Sequence, residues 1–447
     1  MNSEARPPAT VPPSFAEALR FWFKLGLISF GGPTGQIAIM HEELVERKKW
    51  ISEDRFLHAL NYCMLLPGPE AQQLSIYIGW LLHRTWGGIV AGTLFVLPSA
   101  FLLWGLSWLY VAGRDTAWVE AAFYGLKPAV LAIVAVAVLR IGRKALKNGV
   151  MWTITTLAFI AIFFLKWPFP LIVGLAALVG WIGGRFRRDQ FFVIKGSGND
   201  AEAMRAVDAA ARHADHTRVP LIHSAKVLSV GLVLWALPVV AAGLWLGWKG
   251  LHVQQGLFFS KAAMVSFGGA YAVLPYVAQQ AVESYQWLTL PQMMDGLGLA
   301  ETTPGPLIMV LQFVGFVAGW QHPVEGWSPL LTATLGAAIT TWVTFIPSFL
   351  WILLGAPYIE RLRGNERLSC ALSSVTAAVV GVVLNLAVWF ALYAVFPQAG
   401  AEAASWRPDG FVVVVAAAAF VGMQKWKWDV IPVVFGAALL GVVWSWV

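Results

Sequence analysis

The sequence predicts an all-α polytopic membrane protein. It is read as two homologous halves of inverted topology, joined by an extra transmembrane helix, with broken or re-entrant helices at its SFGG and PGP motifs. Three observations lead there. Of 447 residues, 58% are hydrophobic and 12% charged, against about 25% charged in a soluble domain. Residues 86–112, 226–247 and 371–396 each hold the roughly 20 apolar residues that a hydrocarbon core of about 30 Å requires. The chain also repeats itself. KLGLISFGG, Lys24 to Gly32, recurs as KAAMVSFGG, Lys261 to Gly269; at the same offset Trp50 falls on Trp287, and Pro67-Gly68-Pro69 on Pro304-Gly305-Pro306.

Taken in order, residues 1–14 are Pro-rich without an apolar leader core and read as a disordered cytosolic tail. Residues 15–186 form the first half. Residues 187–225 are polar and charged, a cytosolic linker in which His213 and His216 read as solvated. Residues 226–247 are a single apolar span without a counterpart ahead of the first half, and residues 250–447 form the second half. If each half crosses an even number of times, that one extra span turns the second half upside down.

The charges set the sides of the membrane. Arg140, Arg143, Lys144 and Lys147, then Arg185, Arg187 and Arg188, then Arg361, Arg363 and Arg367, then Lys425 and Lys427 lie in short connections, cytoplasmic by the positive-inside rule. The loop 41–55 carries Arg47, Lys48, Lys49 and Arg55, whereas its counterpart 281–291 has neither Lys nor Arg. Both loops fall on the expected sides if the SFGG and PGP segments are hairpins that turn back at their Gly/Pro breaks. That places the amino terminus inside and the carboxyl terminus outside.

Proline inside an apolar segment ends one half-helix and starts another. Unpaired backbone at membrane depth is tolerated only in protein or beside a watery cavity. A half-helix beginning there offers free N–H groups and a positive dipole end to an anion, and glycine lets it approach. The expected substrate-binding residues are therefore Ser29, Gly31, Gly32 and Gln36; Pro67, Gly68, Pro69 and Gln72; Ser266, Gly268 and Gly269; and Pro304, Gly305 and Pro306. Lys24 and Lys261, five residues ahead of each break serine, are expected to face the anion. Glu70 and Glu301 flank the PGP breaks and Lys127 precedes Pro128, so these three are candidates for gating or coupling, the carboxylates by pairing with Lys24 or Lys261. His58 and Asp295 read as loop-edge residues.

Other chemistry finds little support. The basic residues sit in loops, which speaks for a bilayer and against nucleic acid. Cys63 and Cys370 read as core hydrophobes. No nucleotide loop, cofactor motif or metal-ligand spacing is present, so no cofactor, metal or catalytic residue is expected. An intramembrane phosphatase acting on a lipid phosphate would need a base beside Ser29 or Ser266; a passive anion channel is the other alternative.

At these motifs the chain closely resembles the long-chain, two-domain chromate ion transporter family: FKLGLISFGGPTGQIA (23–38), LPGPEAQQL (66–74), FSKAAMVSFGGAYAVLP (259–275) and ETTPGPLIMVLQFVGF (301–316). The resemblance weakens in the linker and in the last two apolar segments of each half. It implies a multi-pass protein of the bacterial inner membrane that carries out chromate efflux conferring resistance, with sulfate as the look-alike oxyanion; moving a dianion out of a negative interior makes membrane potential or proton-motive force the expected drive. A homodimer stays open. Residues alone point to an anion site, not to chromate.

Overall fold

A computed structural model of the chain describes residues 13–30, 32–64, 66–113, 116–192, 221–267, 269–355, 366–397 and 407–446. Gly31, Gly268, the tail 1–12, and His213 and His216 lie outside the described residues.

Each half opens with short helices around two breaks and closes with longer ones. In the first half, α1 (Phe15–Ile28) and α2 (Gly32–His41, prolonged by a π-helical turn, Glu42–Arg47) flank the SFGG break, and α3 (Glu53–Cys63) leads to PGP. Then come α4 (Glu70–Gly113), α5 (Ala117–Ala145), α6 (Gly149–Phe163), α7 (Phe169–Phe186) and one further turn, α8 (Arg188–Phe191). After α9 (Leu221–Leu246) the order repeats: α10 (Leu251–Met264), α11 (Ala270–Gln279) with its own π-helical turn (Gln280–Ser284), and α12 (Leu290–Thr302). Next are α13 (Val310–Gln321), α14 (Pro329–Gly355), α15 (Glu366–Val395), α16 (Gly410–Lys425) and α17 (Val430–Trp444).

The chain doubles back at each break. Beyond the first SFGG break, the Trp50 ring lies 5.2 Å from Phe21 of α1; beyond the second, Trp287 lies 5.5 Å from Phe258 of α10. At the PGP breaks, Tyr62 of α3 meets Tyr77 of α4 at 5.9 Å, and Gln321 Nε2 at the end of α13 donates to Gln292 Oε1 at the start of α12, 3.0 Å away. Gln292 also closes a capping box with Thr289 that starts α12.

Within α4, His83 and Arg84 leave helical geometry and the two arms fold together: a Cβ added to Gly79 would stand 2.4 Å from the Gly87 carbonyl oxygen. Glycine is what allows this approach. The second arm is the part of α4 long enough to cross, and α13 and α14 repeat the pairing through Gly315 and Gly336.

Inversion is written in the packing of equivalent helices. Gly92, early in the second arm of α4, lies against Phe349, late in α14, while Trp104 Nε1 later in α4 donates to Thr334 Oγ1 early in α14 at 3.0 Å. α5 and α15 likewise run antiparallel: the Lys127 ammonium is 6.0 Å from the Tyr393 ring, and Gly142 adjoins Val380. The remaining helices are exchanged between halves. α16 and α17 pack on α5, and α6 and α7 pack on α15, through small residues such as Gly125 against Gly441 and Gly180 against Ser374.

α9 begins at Leu221, so residues 221–225, expected in the linker, belong to the connecting helix. Lys226 thus stands one turn inside the helix. α9 lies at the periphery on α10 and α14 and exposes Leu244 and Trp245, as a helix facing lipid does.

Candidate functional site

The four breaks meet in two junctions, each made by the SFGG turn of one half and the PGP turn of the other. In the first, the Gly305 N–H donates to the Ser29 carbonyl oxygen at 2.8 Å; in the second, the Gly68 N–H donates to the Ser266 carbonyl oxygen at 3.2 Å. The serine after the mid-helix proline completes each. Ser99 presses on Gly305 and Ser348 on Gly68, with a Cβ added at those glycines falling 2.5 Å and 2.8 Å from the respective hydroxyl oxygens. Gly32, Gly68, Gly269 and Gly305 all take positive φ, 68°, 128°, 92° and 96°, which residues with a Cβ adopt only under strain.

Polar side chains complete the junctions unequally. Gln36 Nε2 donates to the carbonyl oxygens of Gly305 (2.5 Å) and Ser29 (3.3 Å), and Gln73 Nε2 to that of Pro67 (2.8 Å). Gln36 has Val273 at its equivalent position, which cannot do the same. Both side-chain polar atoms of Gln72, together with Gln36 Oε1, Gln73 Oε1 and the Ser348 hydroxyl, are buried without a protein partner. Buried amides normally find one, so these groups are suited to water or a polar ligand. Pro69, Pro304 and Pro306 are buried and Pro67 is half-buried.

The serine hydroxyls have another duty. Ser29 Oγ donates to the Leu25 carbonyl oxygen at 2.6 Å and Ser266 Oγ to that of Ala263 at 2.7 Å. Each closes its own helix end, and it is the carbonyl, not the hydroxyl, that reaches the other half.

The charges rearrange the expectation. Lys24 and Lys261 are exposed on the outer faces of α1 and α10, and neither pairs with Glu70 or Glu301; among the described residues the ion pairs involve His41 and Arg47. Five residues of helix turn a side chain well away from the serine's face, so the lysines miss the junctions. Glu301 is buried and accepts a hydrogen bond from the Tyr271 hydroxyl. Glu70, half-buried, approaches Gly269 of the other half. Among the described residues, the cations whose charge bears on these groups are exposed ones near the end of α5, Arg140 for Glu301 and Tyr271 and Lys144 for Glu70. In the sequence, those two serve only to orient the chain by the positive-inside rule. The single cue was their i, i+4 spacing, which stacks them on one helix face.

Lys127 lies away from the breaks, its ammonium 5.5 Å from the Tyr124 ring and 6.0 Å from Tyr393, while the Tyr124 hydroxyl donates to Asp409 Oδ2 at 2.6 Å. Asp295 is no loop-edge residue: it is buried within α12 and accepts from the Tyr110 hydroxyl at 2.9 Å. His58 is half-buried in α3. No group of three or more potential metal ligands occurs among the described residues.

Among the described residues, six helices long and apolar enough to cross a bilayer, with irregular backbone at breaks cross-linked between inverted halves, define a polytopic membrane protein of an architecture common among transporters. The chain belongs to the chromate transporter family, whose sequence profile matches residues 16–181 and 253–442, one stretch in each half. A chromate transport protein of Pseudomonas aeruginosa is 32% identical over 442 residues, covering 97% of this chain and 92% of that protein. A chromate transport protein of Cupriavidus metallidurans is 27% identical over 452 residues, covering 99% and 98%. A probable chromate transport protein of Synechococcus elongatus is 28% identical over 376 residues, 84% of each chain. No solved structure matches.

Proposed function

We propose that the protein exports chromate from the bacterial cytoplasm across the inner membrane and so confers resistance, with residues 15–186 and 250–447 as its two transporter halves. The observation that carries this reading is the meeting of hairpin tips from oppositely oriented halves at two junctions, with buried amides lacking protein partners. The names of the relatives supply the anion. Gln36, Gln72 and the backbone at Gly32, Gly269 and the two PGP turns hold the oxyanion, and the halves rock around the junctions to open each side in turn. The membrane potential, inside negative, drives a dianion outward with about 4.6 kcal/mol at 100 mV, so efflux needs no obligatory proton.

The phosphatase alternative loses ground because each serine hydroxyl is held by its own helix rather than by a base. Sulfate, of the same charge and shape, competes.

Inverted vesicles energised and then collapsed with an ionophore test this reading through uptake of radiolabelled chromate. Saturable, potential-dependent uptake inhibited by sulfate is expected. Exposed, salt-screened charges contribute about 0.2–1 kcal/mol, so Arg140→Gln and Lys144→Gln should each raise KM by up to roughly 5-fold. Uptake no greater than in empty vesicles rejects export.

Orientation follows from the same reading. Glu46 and Glu283, equivalent and exposed, fall on opposite sides. In a chain without Cys63 and Cys370, a membrane-impermeant maleimide should label Glu283→Cys in whole cells and Glu46→Cys only after permeabilisation. The reverse pattern inverts the topology.

A further inference from the structure

Away from the junctions, the end of α7 and the start of α15 enclose a second feature. Trp181, Ile182, Arg185, Phe186 and Arg367 line a cavity of about 320 Å³. α7 and α15 pack tightly beside it, Gly184 lying against the Cys370 side chain. The Arg367 guanidinium stands 5.9 Å from the Trp181 ring, an arrangement that orients the charge without neutralising it. Among the described residues, no carboxylate lines the cavity. Neither arginine forms an ion pair among the described residues.

The cavity is open and two-natured. Phe186 is 77% exposed and Trp181 50%, and the outer face of α7 continues as exposed Leu171, Leu175, Leu178 and Val179. Two guanidiniums that form no ion pair among the described residues suit an anion that can take several N–H donors, which phosphate does. A small soluble anion would leave the aromatic wall and the apolar stripe without a partner. A phospholipid uses both, its phosphate at the arginines and an acyl chain along α7. The arginines also stand at helix ends in the connections that the positive-inside rule assigns to the cytoplasmic leaflet, where anionic lipids attract such charges.

We infer that this cavity is a binding site for an anionic phospholipid headgroup, held between Arg185 of α7 and Arg367 of α15. The lipid fastens α7 of the first half to α15 of the second, one of the contacts through which the halves exchange helices. The inference rests on membrane embedding and not on the identity of the transported anion.

The test uses the full chain in lipid nanodiscs and in native mass spectrometry. At about 1 kcal/mol per arginine near the surface, the wild type should retain phosphatidylglycerol over phosphatidylcholine by roughly 30-fold. Arg185→Gln combined with Arg367→Gln should reduce that preference to a few-fold. If that pair does not fold, Arg367→Gln alone must lower the preference several-fold. The site is overturned if the wild type shows no preference, or if the variants keep it undiminished. It is also overturned as a lipid site if inorganic phosphate raises the unfolding temperature in phosphatidylcholine nanodiscs as much as phosphatidylglycerol does, since a small-anion site would then suffice.

Discussion

Alanine at Gly305 is expected to abolish chromate uptake and to lower the thermal unfolding midpoint. Two costs coincide at this residue. Its φ of 96° is a backbone conformation that side chains rarely adopt, and strain of that kind costs about 1–3 kcal/mol. The new methyl would stand 2.5 Å from Ser99 Oγ and 2.6 Å from Ser99 Cβ, an overpacking of about 1–3 kcal/mol more. Relief by backbone movement would pull the Gly305 N–H from the Ser29 carbonyl and its own carbonyl from Gln36. Ser99→Gly in the same chain removes the steric part and leaves the backbone part, so it should restore stability partially. Gly68→Ala meets Gln73 Nε2 at 2.6 Å and Ser348 Oγ at 2.8 Å with φ 128°, and should behave alike. Wild-type uptake by Gly305→Ala, measured in the vesicle assay alongside unfolding in detergent, would mean that the junction need not be closed for transport.

The class, the repeat and the breaks were legible because they depend on residues whose physics is local. Apolar runs mark the bilayer, and Gly/Pro clusters mark where a helix must stop. What could not be read was which break meets which. The bond from Gly305 to Ser29 joins residues far apart in the chain, and nothing in either motif favours exchange between halves over pairing within one. Lys24 and Lys261 misled for a related reason: matched position says that two residues are equivalent, not that they point inward. Arg140 and Lys144 were hidden in a run of basic residues that topology alone accounted for. The repeat also extends where the sequence resemblance is weakest. Lys166 and Lys427, with φ 54° and 56°, each precede a tryptophan, and the N–H groups of Trp167 and Trp428 close back on Ala161 and Gly422 at 3.0 and 3.2 Å. The same turn stands at Lys49 and Gln286, φ 53° each, where the Trp50 and Trp287 N–H groups close back on Leu44 and Ala281 at 2.9 and 2.8 Å.

The two halves, although alike in backbone, differ in what ties their breaks together, and this difference leads to the second large effect. In the second half Tyr271, just past the SFGG turn, donates to Glu301, just before the PGP turn. Thr34 and Met64 stand at the equivalent positions of the first half and cannot form that pair. Since each turn also belongs to a different junction, the Tyr271–Glu301 bond couples the two junctions, with Arg140 acting on both partners from α5. Tyr271→Phe leaves a buried carboxylate without its donor, a loss of about 1–3 kcal/mol, whereas Glu301→Gln keeps a hydrogen-bonding partner and discards the charge. If the bond sets how the junctions move together, Tyr271→Phe should lower the maximal uptake rate by roughly 10- to 100-fold with KM changed far less. The double variant should be no slower than the worse single one, because residues acting through one shared bond are not additive. A residue that merely bound the anion would shift KM instead, and two independent contributions would multiply; either pattern in the uptake kinetics would remove the coupling role from this pair.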